Sequence, residues 1–305
     1  MQWNDVQVFL AVARSGSVRA AAQALRVDAS TVSRRLSALE QAAGARLFDR
    51  TRGRLVLTAP GETMLQSSER MNAEIEGLRR RLVGSDRRIE GMVRVTFPGS
   101  FTTIVHQAIA AFSRKHPGVE IELLTLDAMI DIDGRQADVA IRVAGQPPEH
   151  LVGRRVASLA SALYASRAYR REHPGVLEGN EHAWVDWDRR LASKPAFVWL
   201  AERFPNRRIV ARGLSTADVA EAVRAGIGVG PLPCLIGDAE PELVRLADAP
   251  RDTWSPVWLL THADLKPAAR VRVVVAHLTE RLRATRLQME GGPSLATSAR
   301  TVATS

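Results

Sequence analysis

Arginine is the residue type with the clearest capacity for chemistry near the start of the chain. Nine arginines lie from Arg14 to Arg54 against three carboxylates, so this stretch carries a net charge of +6. Guanidinium groups bind phosphates and guanine edges through paired hydrogen bonds, and a localised basic patch is typical of a surface that binds a polyanion. Genome-wide codon composition would explain an arginine preference equally well. Whether these arginines form a binding surface therefore depends on the helices and strands that position them.

Three short helices are predicted before residue 45. The first ends at Gly16, a C-terminal cap, and Ser17 is the N-cap of a second helix that is rich in alanine. The connection to the third helix is only a few residues long, and Asp28 is its predicted N-cap. Two helices joined this tightly form a helix-turn-helix.

The third helix separates into a buried and an outward face at about 100° per residue. Val32, Leu36 and Leu39 form its apolar stripe. The residues that point outward, or flank the outward face, are Ser30, Thr31, Ser33, Arg34 and Ser37. Arg35 lies nearer the buried edge, so we predict that it reaches a phosphate or an acidic neighbour rather than a base.

A short β-hairpin is predicted over residues 48–58, with Gly53 at its turn. Arg50, Arg52 and Arg54 crowd the tip of this hairpin. A cationic wing beside an outward-facing helix is the geometry of winged DNA-binding proteins, although an isolated arginine cluster is more often a solvated surface. We therefore predict a DNA interface that comprises the outward face of the third helix, Arg35, the three wing arginines and Ser17.

Residues 60–90 are predicted to be a linker and dimerisation helix. Met64, Met71, Ile75, Leu78 and Leu82 keep a seven-residue spacing that Ser68 interrupts. The alternative is a helix that packs on its own domain.

Beyond Gly91, candidate strands alternate with candidate helices, as in a parallel or mixed α/β sheet. The strand candidates are residues 92–97, 119–126, 137–143, 160–165, 183–185, 208–211, 227–232 and 256–260. The clearest helices are residues 103–115, 216–225 and 267–286. Residues 288–305 are small and polar without a period, which predicts a disordered tail.

Composition narrows the function classes. The chain has 305 residues, 46% of them hydrophobic and 25% charged, and a formal charge of +9. No run of about 18 apolar residues predicts a membrane span, so we expect a cytoplasmic protein without a membrane partner. Cys234 is the single cysteine, which excludes an intramolecular disulfide and a multi-cysteine zinc site.

Four segments together resemble the LysR-type transcriptional regulators. They are SVRAAAQALRVDASTVSRRLSALEQAAGARLFDR from Ser17, ADVAIR from Ala137, AEAVRAGIGVGPLP from Ala220 and WLLTHADLKPAARVRVVVAHL from Trp258. Many members carry Ser-Gln where this chain has Asp28-Ala29, so an operator sequence cannot be carried over. The resemblance covers about residues 1–287.

The resemblance implies an all-α winged helix-turn-helix domain, residues 1–59, joined by the linker helix to an α/β effector domain, residues 91–287. The effector domain would resemble periplasmic binding proteins, with lobe one at about 91–160 plus 265–287 and lobe two at about 161–264. A small ligand would sit in the cleft, held by loops and helix N-termini. The candidate effector contacts are Ser100, Phe101, Thr102, Arg142, Ser215 and Thr216. The hydroxyl residues among them could equally be plain N-caps.

The expected function is a bacterial, sequence-specific transcriptional regulator whose promoter binding responds to a small molecule. Its expected partners are double-stranded promoter DNA, a small-molecule effector that we favour as an organic anion, further copies of the chain in a homodimer or homotetramer, and RNA polymerase. No cofactor or metal is expected. Two alternatives stay open: a non-specific architectural DNA-binding protein, and a DNA-tethered enzyme. Against the enzyme, the elbow-like Gly213–Ala217 segment lacks a second glycine and a histidine partner.

Overall fold

The computed structural model describes residues 2–51, 54–84, 87–125, 137–147, 149, 151–175, 177, 181–188 and 195–292. The chain divides into two compact units, Met1–Arg81 and Leu82–Ser305. Each unit has its own hydrophobic core.

The first unit contains the three predicted helices and the predicted hairpin. Its elements are α1 (Trp3–Ser15), α2 (Val18–Leu25), α3 (Ala29–Ala43), β1 (Phe48–Thr51), β2 (Arg54–Leu57) and the start of α4 (Ala59–Gly84). Gly16 and Gly44 end α1 and α3 in the left-handed region, with φ of 68° and 67°. Asp28 precedes α3 as predicted, but its side chain makes no capping hydrogen bond.

A small hydrophobic core holds the helices of this unit together. Phe9, Val12, Val32 and Leu39 are buried at its centre, and the alanines of α2 let that helix approach closely. Gly61 lies at the start of α4, where an added Cβ would stand 2.1 Å from the carbonyl oxygen of Leu47. Only glycine therefore allows α4 to begin against the hairpin.

Helix α4 carries the predicted heptad residues, and its stripe divides into two parts. Met64 packs on the core of the first unit, and Ser68 is buried. The later apolar residues are exposed: Met71 by 44%, Ile75 by 41%, Leu78 by 52% and Leu82 by 67%. The second half of the helix therefore presents an uncovered apolar stripe.

Lobe one of the second unit is built on a five-stranded sheet in the order β4-β3-β5-β12-β6. Its strands are β3 (Gly91–Phe97), β4 (Val119–Thr125), β5 (Val139–Val143), β6 (Leu151–Leu159) and β12 (Ser255–His262). Strands β4 and β5 run parallel to β3, and β12 runs antiparallel to β5 and β6. Helices α5 (Thr102–Lys115) and α10 (Ala269–Ala284) share one hydrophobic core with this sheet.

Lobe two contains two small sheets and several short helices. Strand β7 (Ser161–Ser166) lies between β10 (Gly230–Pro233) and β11 (Leu243–Asp248), and β8 (Ala183–Trp187) pairs in parallel with β9 (Arg208–Gly213). The helices are α6 (Arg167–Glu172), α7 (Pro195–Arg203), α8 (Thr216–Arg224) and α9 (Cys234–Gly237). Helix α8 packs on the sheets through Val219 and Val223.

The structure corrects the predicted lobe boundary. Strand β12 was assigned to lobe two, but it pairs with β5 and β6 in the sheet of lobe one. The second crossing between lobes therefore lies near residues 249–254 rather than at 264. Strand β6, which was not predicted, lies at the sheet edge with Gly153, Arg154 and Arg155 exposed, so its sequence lacks the alternation of a half-buried strand.

The predicted disordered tail is wrong in its first residues. Helix α11 (Arg286–Met289) follows α10, and Met289 is fully buried in the lobe-one core. The Met289 carbonyl accepts a hydrogen bond from Ala160 N, and the Ala160 carbonyl accepts one from Cys234 N. Ala160, the single residue between β6 and β7, is thus held on both sides where the chain first crosses between lobes. Residues 293–305 of the predicted tail lie outside the described residues.

Candidate DNA interface and effector cleft

The outward face of α3 is as polar as predicted. Ser30, Ser33, Arg34 and Ser37 are exposed, Thr31 is half-buried, and Val32, Leu36 and Leu39 are buried beneath them. Within the described part of the chain, Arg34 forms no salt bridge. Its guanidinium is therefore available to an external acceptor.

Arg35 points toward an acidic neighbour. Its Nη1 lies 4.0 Å from Oδ1 of Asp5 on α1. This long, partly exposed ion pair contributes little stability by itself, but it turns the Arg35 side chain away from the outward face of α3. The geometry agrees with the predicted orientation of Arg35.

Ser17 has a structural task at the start of α2. Its hydroxyl oxygen accepts a hydrogen bond from Ala20 N at 3.2 Å, which satisfies one of the free N–H groups of the first turn. The hydroxyl is half-buried, and its hydrogen can still be donated. Ser17 therefore caps the helix whether or not DNA is bound.

The hairpin backbone places residues Arg50 and Arg54 near the predicted turn. Arg50 in β1 pairs with Leu55 in β2, and Thr51 pairs with Arg54, so both arginines flank the turn. Arg52 and Gly53 lie outside the described residues. The backbone therefore supports a cationic tip at Arg50 and Arg54.

Glu40 is a positioning residue that the sequence did not reveal. One of its carboxylate oxygens accepts hydrogen bonds from Leu47 N at 2.8 Å and Phe48 N at 3.3 Å. These bonds fix the first residues of the hairpin to the last turns of α3. This carboxylate therefore helps to fix the relative placement of helix and wing, the two parts of the predicted interface, together with the hydrophobic core that they share.

In lobe one, the predicted effector contacts Ser100, Phe101 and Thr102 lie where the chain passes from β3 into α5. Residues Gly99–Phe101 form a single 3₁₀ turn, Ser100 is buried, and the Thr102 hydroxyl donates to the Gly99 carbonyl. Phe101 is fully buried in the lobe-one core, so the structure corrects its assignment: it packs and does not reach a ligand here. No side chain caps the N-terminus of α5.

Arg142 lies within β5, inside the strand that the sequence predicts over residues 137–143. Its guanidinium donates to the Ile141 carbonyl at 2.9 Å and lies 3.4 Å from the Thr96 hydroxyl. Burial lowers the pKa of Arg142, although an arginine stays charged at physiological pH. A partly buried cation therefore sits near the carboxyl ends of β3 and β5, the sheet edge where α/β folds bind ligands.

In lobe two, Ser215 is the N-cap of α8 in a complete capping box. The Asp218 N–H donates to the Ser215 hydroxyl, and the Asp218 carboxylate accepts from Ser215 N and Leu214 N. Hydrogen bonds from the Ser215 side chain and backbone hold the pKa of Asp218 below its ordinary value. The N-terminus of α8 is thus already occupied by the chain's own carboxylate, and Thr216 is buried beside it.

The fold brings these two candidate regions together, because α8 of lobe two lies beside the Gly99–Phe101 turn of lobe one. Both regions therefore border the same space between the lobes.

Cys234 is unreactive in this structure. It is fully buried, and burial raises the pKa of its thiol to about 11 although the nearby Arg245 opposes this shift. A thiol that stays protonated at neutral pH is a poor nucleophile.

The described part of the chain contains neither a metal-ligand cluster nor a helix that could span a membrane. No group of three or more His, Cys, Asp or Glu side chains there is arranged to hold a metal ion. None of its helices combines the length and the apolar character that a membrane span requires.

The fold and the site define a winged helix-turn-helix protein with a two-lobed ligand-binding domain. Residues 3–62 match the family model of the bacterial regulatory helix-turn-helix protein, lysR family, and residues 86–283 match that of the LysR substrate binding domain. The chain belongs to the LysR family. It is a DNA-binding transcriptional regulator with an effector-binding domain, not an enzyme.

Curated relatives span nearly the whole chain. The HTH-type transcriptional regulator PtxR of Pseudomonas aeruginosa is 29% identical over 288 residues, covering 92% of each chain. The HTH-type transcriptional activator AaeR of Escherichia coli is 27% identical, covering 90% of this chain and 92% of the relative. Among solved structures, the Vibrio cholerae virulence activator AphB has a TM-score of 0.61 at 21% identity, covering 92% of this chain and 99% of AphB, which supports the fold.

Proposed function

We propose that the chain recognises a specific operator through the outward face of α3, with the wing arginines on the DNA backbone. The observation that carries this proposal is the exposed set Ser30, Ser33, Arg34 and Ser37, above a fully apolar inner face. Helices of this kind enter the major groove, where arginine reads guanine through two hydrogen bonds. Arg35 is assigned to a phosphate-side or structural role because it points toward Asp5.

The test is a fluorescence-anisotropy titration on the DNA immediately upstream of the protein's own gene, at physiological salt, against a scrambled duplex of equal length. A specific regulator is expected to prefer the native sequence by about 10³-fold or more. Equal and steeply salt-dependent binding to both duplexes would favour the architectural alternative, unless genome-wide occupancy then reveals a distant operator.

We further propose that the exposed stripe on α4 is the dimer seam. A helix packed on its own domain would cover Met71, Ile75 and Leu78, but these side chains are 41–52% exposed. Leu78→Glu is expected to lower the molar mass measured by light scattering from that of an oligomer toward that of a monomer. Val56→Glu alters an equally exposed residue of the hairpin and serves as the control.

For the effector, we propose an organic anion whose charged end is held by lobe one. The capping box fills the N-terminus of α8 with the Asp218 carboxylate, which would repel a second anion. In lobe one, the N-terminus of α5 has no side-chain cap, and Arg142 supplies a partly buried positive charge. Ser100, Thr102 and Thr216 remain candidates for polar contacts. The Ser215 hydroxyl already accepts a hydrogen bond from the Asp218 N–H of its own cap.

A thermal-shift screen of metabolites tests this assignment, because a ligand that binds the folded state raises the melting temperature. Carboxylates are expected to stabilise the wild type and to lose most of that effect in Arg142→Gln. Stabilisation only by neutral or cationic compounds would contradict the proposed anion. The coupling needed for regulation is modest, since about 1 to 3 kcal/mol changes DNA affinity 5- to 150-fold.

RNA polymerase is the remaining proposed partner. The proposed location is the cytoplasm, because promoter DNA and RNA polymerase reside there. Co-precipitation of polymerase with the operator-bound protein tests the contact. Capture of polymerase by operator DNA alone to the same extent would contradict it.

A further inference from the structure

A second concave surface lies on lobe one, between α10 and the edge of the sheet. This groove of about 1020 Å³ is bordered by the first half of β6, the second half of β12 and the outer side of α10. Its volume is at the upper end of the range typical of small-molecule sites. The lining residues are Val152, Gly153, Arg154, Leu259, Thr261, Lys266, Pro267, Val271, Arg272, Val275, Ala276, Thr279, Glu280 and Arg283.

The sheet register separates this groove from the effector candidates. Thr261 pairs with Val139 at the start of β5, whereas Val257 pairs with Val143 at its end. The Gly99–Phe101 turn follows the carboxyl end of β3, which runs parallel to β5. The groove therefore extends toward the opposite end of the sheet. Thr261 lies about 13 Å along β12 from Val257, and Leu259 lies about 7 Å from it.

The floor of the groove is apolar. Leu259 and Val271 are buried in the core below, while Val152 and Val275 are only partly covered. On α10, Val271, Val275 and Thr279 repeat every four residues and therefore form one stripe that faces the edge strand. An aromatic or aliphatic body laid on this floor would remove the remaining apolar surface from water.

The rim is cationic. Arg154, Lys266, Arg272 and Arg283 line the groove and are exposed, against the single carboxylate of Glu280. Among the residues that the structure describes, none of these four cations forms a salt bridge. Elsewhere in the same domain, arginines are engaged by carboxylates, as Arg207 is by Asp186 and Arg245 by Asp238.

We propose that this groove binds an amphipathic organic anion, a carboxylate or sulfonate with an apolar body, as a second ligand of the regulator. The apolar floor takes the body, and Arg272 and Arg283 on α10 hold the anionic group through charge-assisted hydrogen bonds. Concavity and an apolar floor distinguish the groove from a surface for the DNA backbone, which needs a polar track for phosphates.

The experiment uses 8-anilino-1-naphthalenesulfonate as the anionic probe and N-phenyl-1-naphthylamine as its neutral counterpart. Fluorescence titrations of the full-length chain compare the wild type with Arg272→Ala/Arg283→Ala. Loss of two charge-assisted contacts is expected to weaken the sulfonate by about tenfold or more and to leave the neutral probe nearly unchanged. Arg281→Ala, an exposed arginine on α10 outside the groove, is expected to bind both probes like the wild type.

Unchanged sulfonate binding in the double variant would overturn the proposal, because the probe would then bind elsewhere, for example at the effector cleft or the α4 stripe. An equal loss of both probes would overturn it as well, since the variant would have damaged the fold. A changed molar mass in light scattering would identify the groove as an interface between copies instead. None of these outcomes alters the operator test.

Discussion

Arginine serves opposite purposes on the outward face of α3 and among the carboxylates of lobe two. In the DNA-binding unit, Arg34 is exposed and has no salt-bridge partner within the described residues. In lobe two, Arg207 is largely buried, with Nη2 2.7 Å from Oδ2 of the buried Asp186, and Arg245 bridges Asp238, Asp248 and the Gly291 carbonyl. Composition alone does not distinguish these uses. The position of each guanidinium relative to carboxylates shows whether it serves a partner or the fold.

The largest expected effect is on the arginine that serves the fold. Arg207→Ala leaves the buried Asp186 carboxylate with Arg212 at 3.5 Å and the Trp187 N–H at 2.8 Å, and is expected to cost about 3 to 5 kcal/mol of unfolding free energy. Urea denaturation of the full chain measures this loss. Arg224→Ala removes exposed pairs with Glu221 and Glu242 and is expected to leave the urea midpoint unchanged. Similar midpoints for the two variants would contradict the distinction between buried and exposed arginine pairs in lobe two.

The next effect is on DNA discrimination. Arg34→Ala is expected to lose about 1 to 3 kcal/mol of preference for operator over scrambled duplex without a change in stability. Arg34→Lys keeps the charge but not the planar fork, so it should recover general affinity and not specificity. Parallel anisotropy titrations on the operator and the scrambled duplex measure both the general affinity and the preference for the operator. If Arg34→Ala weakens both duplexes equally, Arg34 contacts phosphate and the base-reading assignment is wrong.

Arg26 adds a third case to the comparison, because its backbone conformation lowers the free energy of unfolding. It lies between α2 and α3 with φ of 54°, a left-handed conformation that side chains other than glycine adopt at a cost. Arg26→Gly is expected to raise the unfolding free energy by roughly 0.5 to 1 kcal/mol, and to weaken DNA binding if the guanidinium contacts a phosphate. Thermal melting and anisotropy test the two effects separately. A lower melting temperature would mean that the side chain stabilises the turn.

The smallest effect near neutral pH concerns Cys234, beside Arg245. Its pKa in the folded chain is raised to about 11, so the neutral thiol contributes stability that is complete below pH about 9 and lost as the pH rises toward 11. Cys234→Ala should flatten part of this decline in urea midpoints measured from pH 8 to 11. The rest of the decline should remain in this variant, because burial also raises the pKa of Tyr164. Rapid labelling of the native thiol at pH 7.5 would show that Arg245 activates it after all.

Local patterns predicted most of the helices and the hairpin. The apolar stripe of α3 and the glycines that end α1 and α3 are short-range signals, and they agree with the structure. Strand β11 was missed because a register shift between Arg245 and Ala247 disturbs its alternation. The lobe assignment of β12 was missed because strand pairing over more than a hundred residues leaves no local trace.

The candidate site was less predictable than the fold. The capping box from Ser215 to Asp218 was readable in the sequence as a serine followed three residues later by a carboxylate, and it would have shown that this helix N-terminus is occupied. Phe101 and Glu40 had no such signal. Their roles depend on the core beneath α5 and on a hairpin seven residues beyond the carboxylate.

The two hydrogen bonds that hold Ala160 have a practical consequence for truncation of the chain. Helix α11 inserts Met289 into the core of lobe one, and Arg245 of lobe two holds the Gly291 carbonyl. Truncation after residue 285 would therefore leave a cavity in the core of lobe one. It would also remove the hydrogen bond that holds Ala160 where the chain crosses between the lobes.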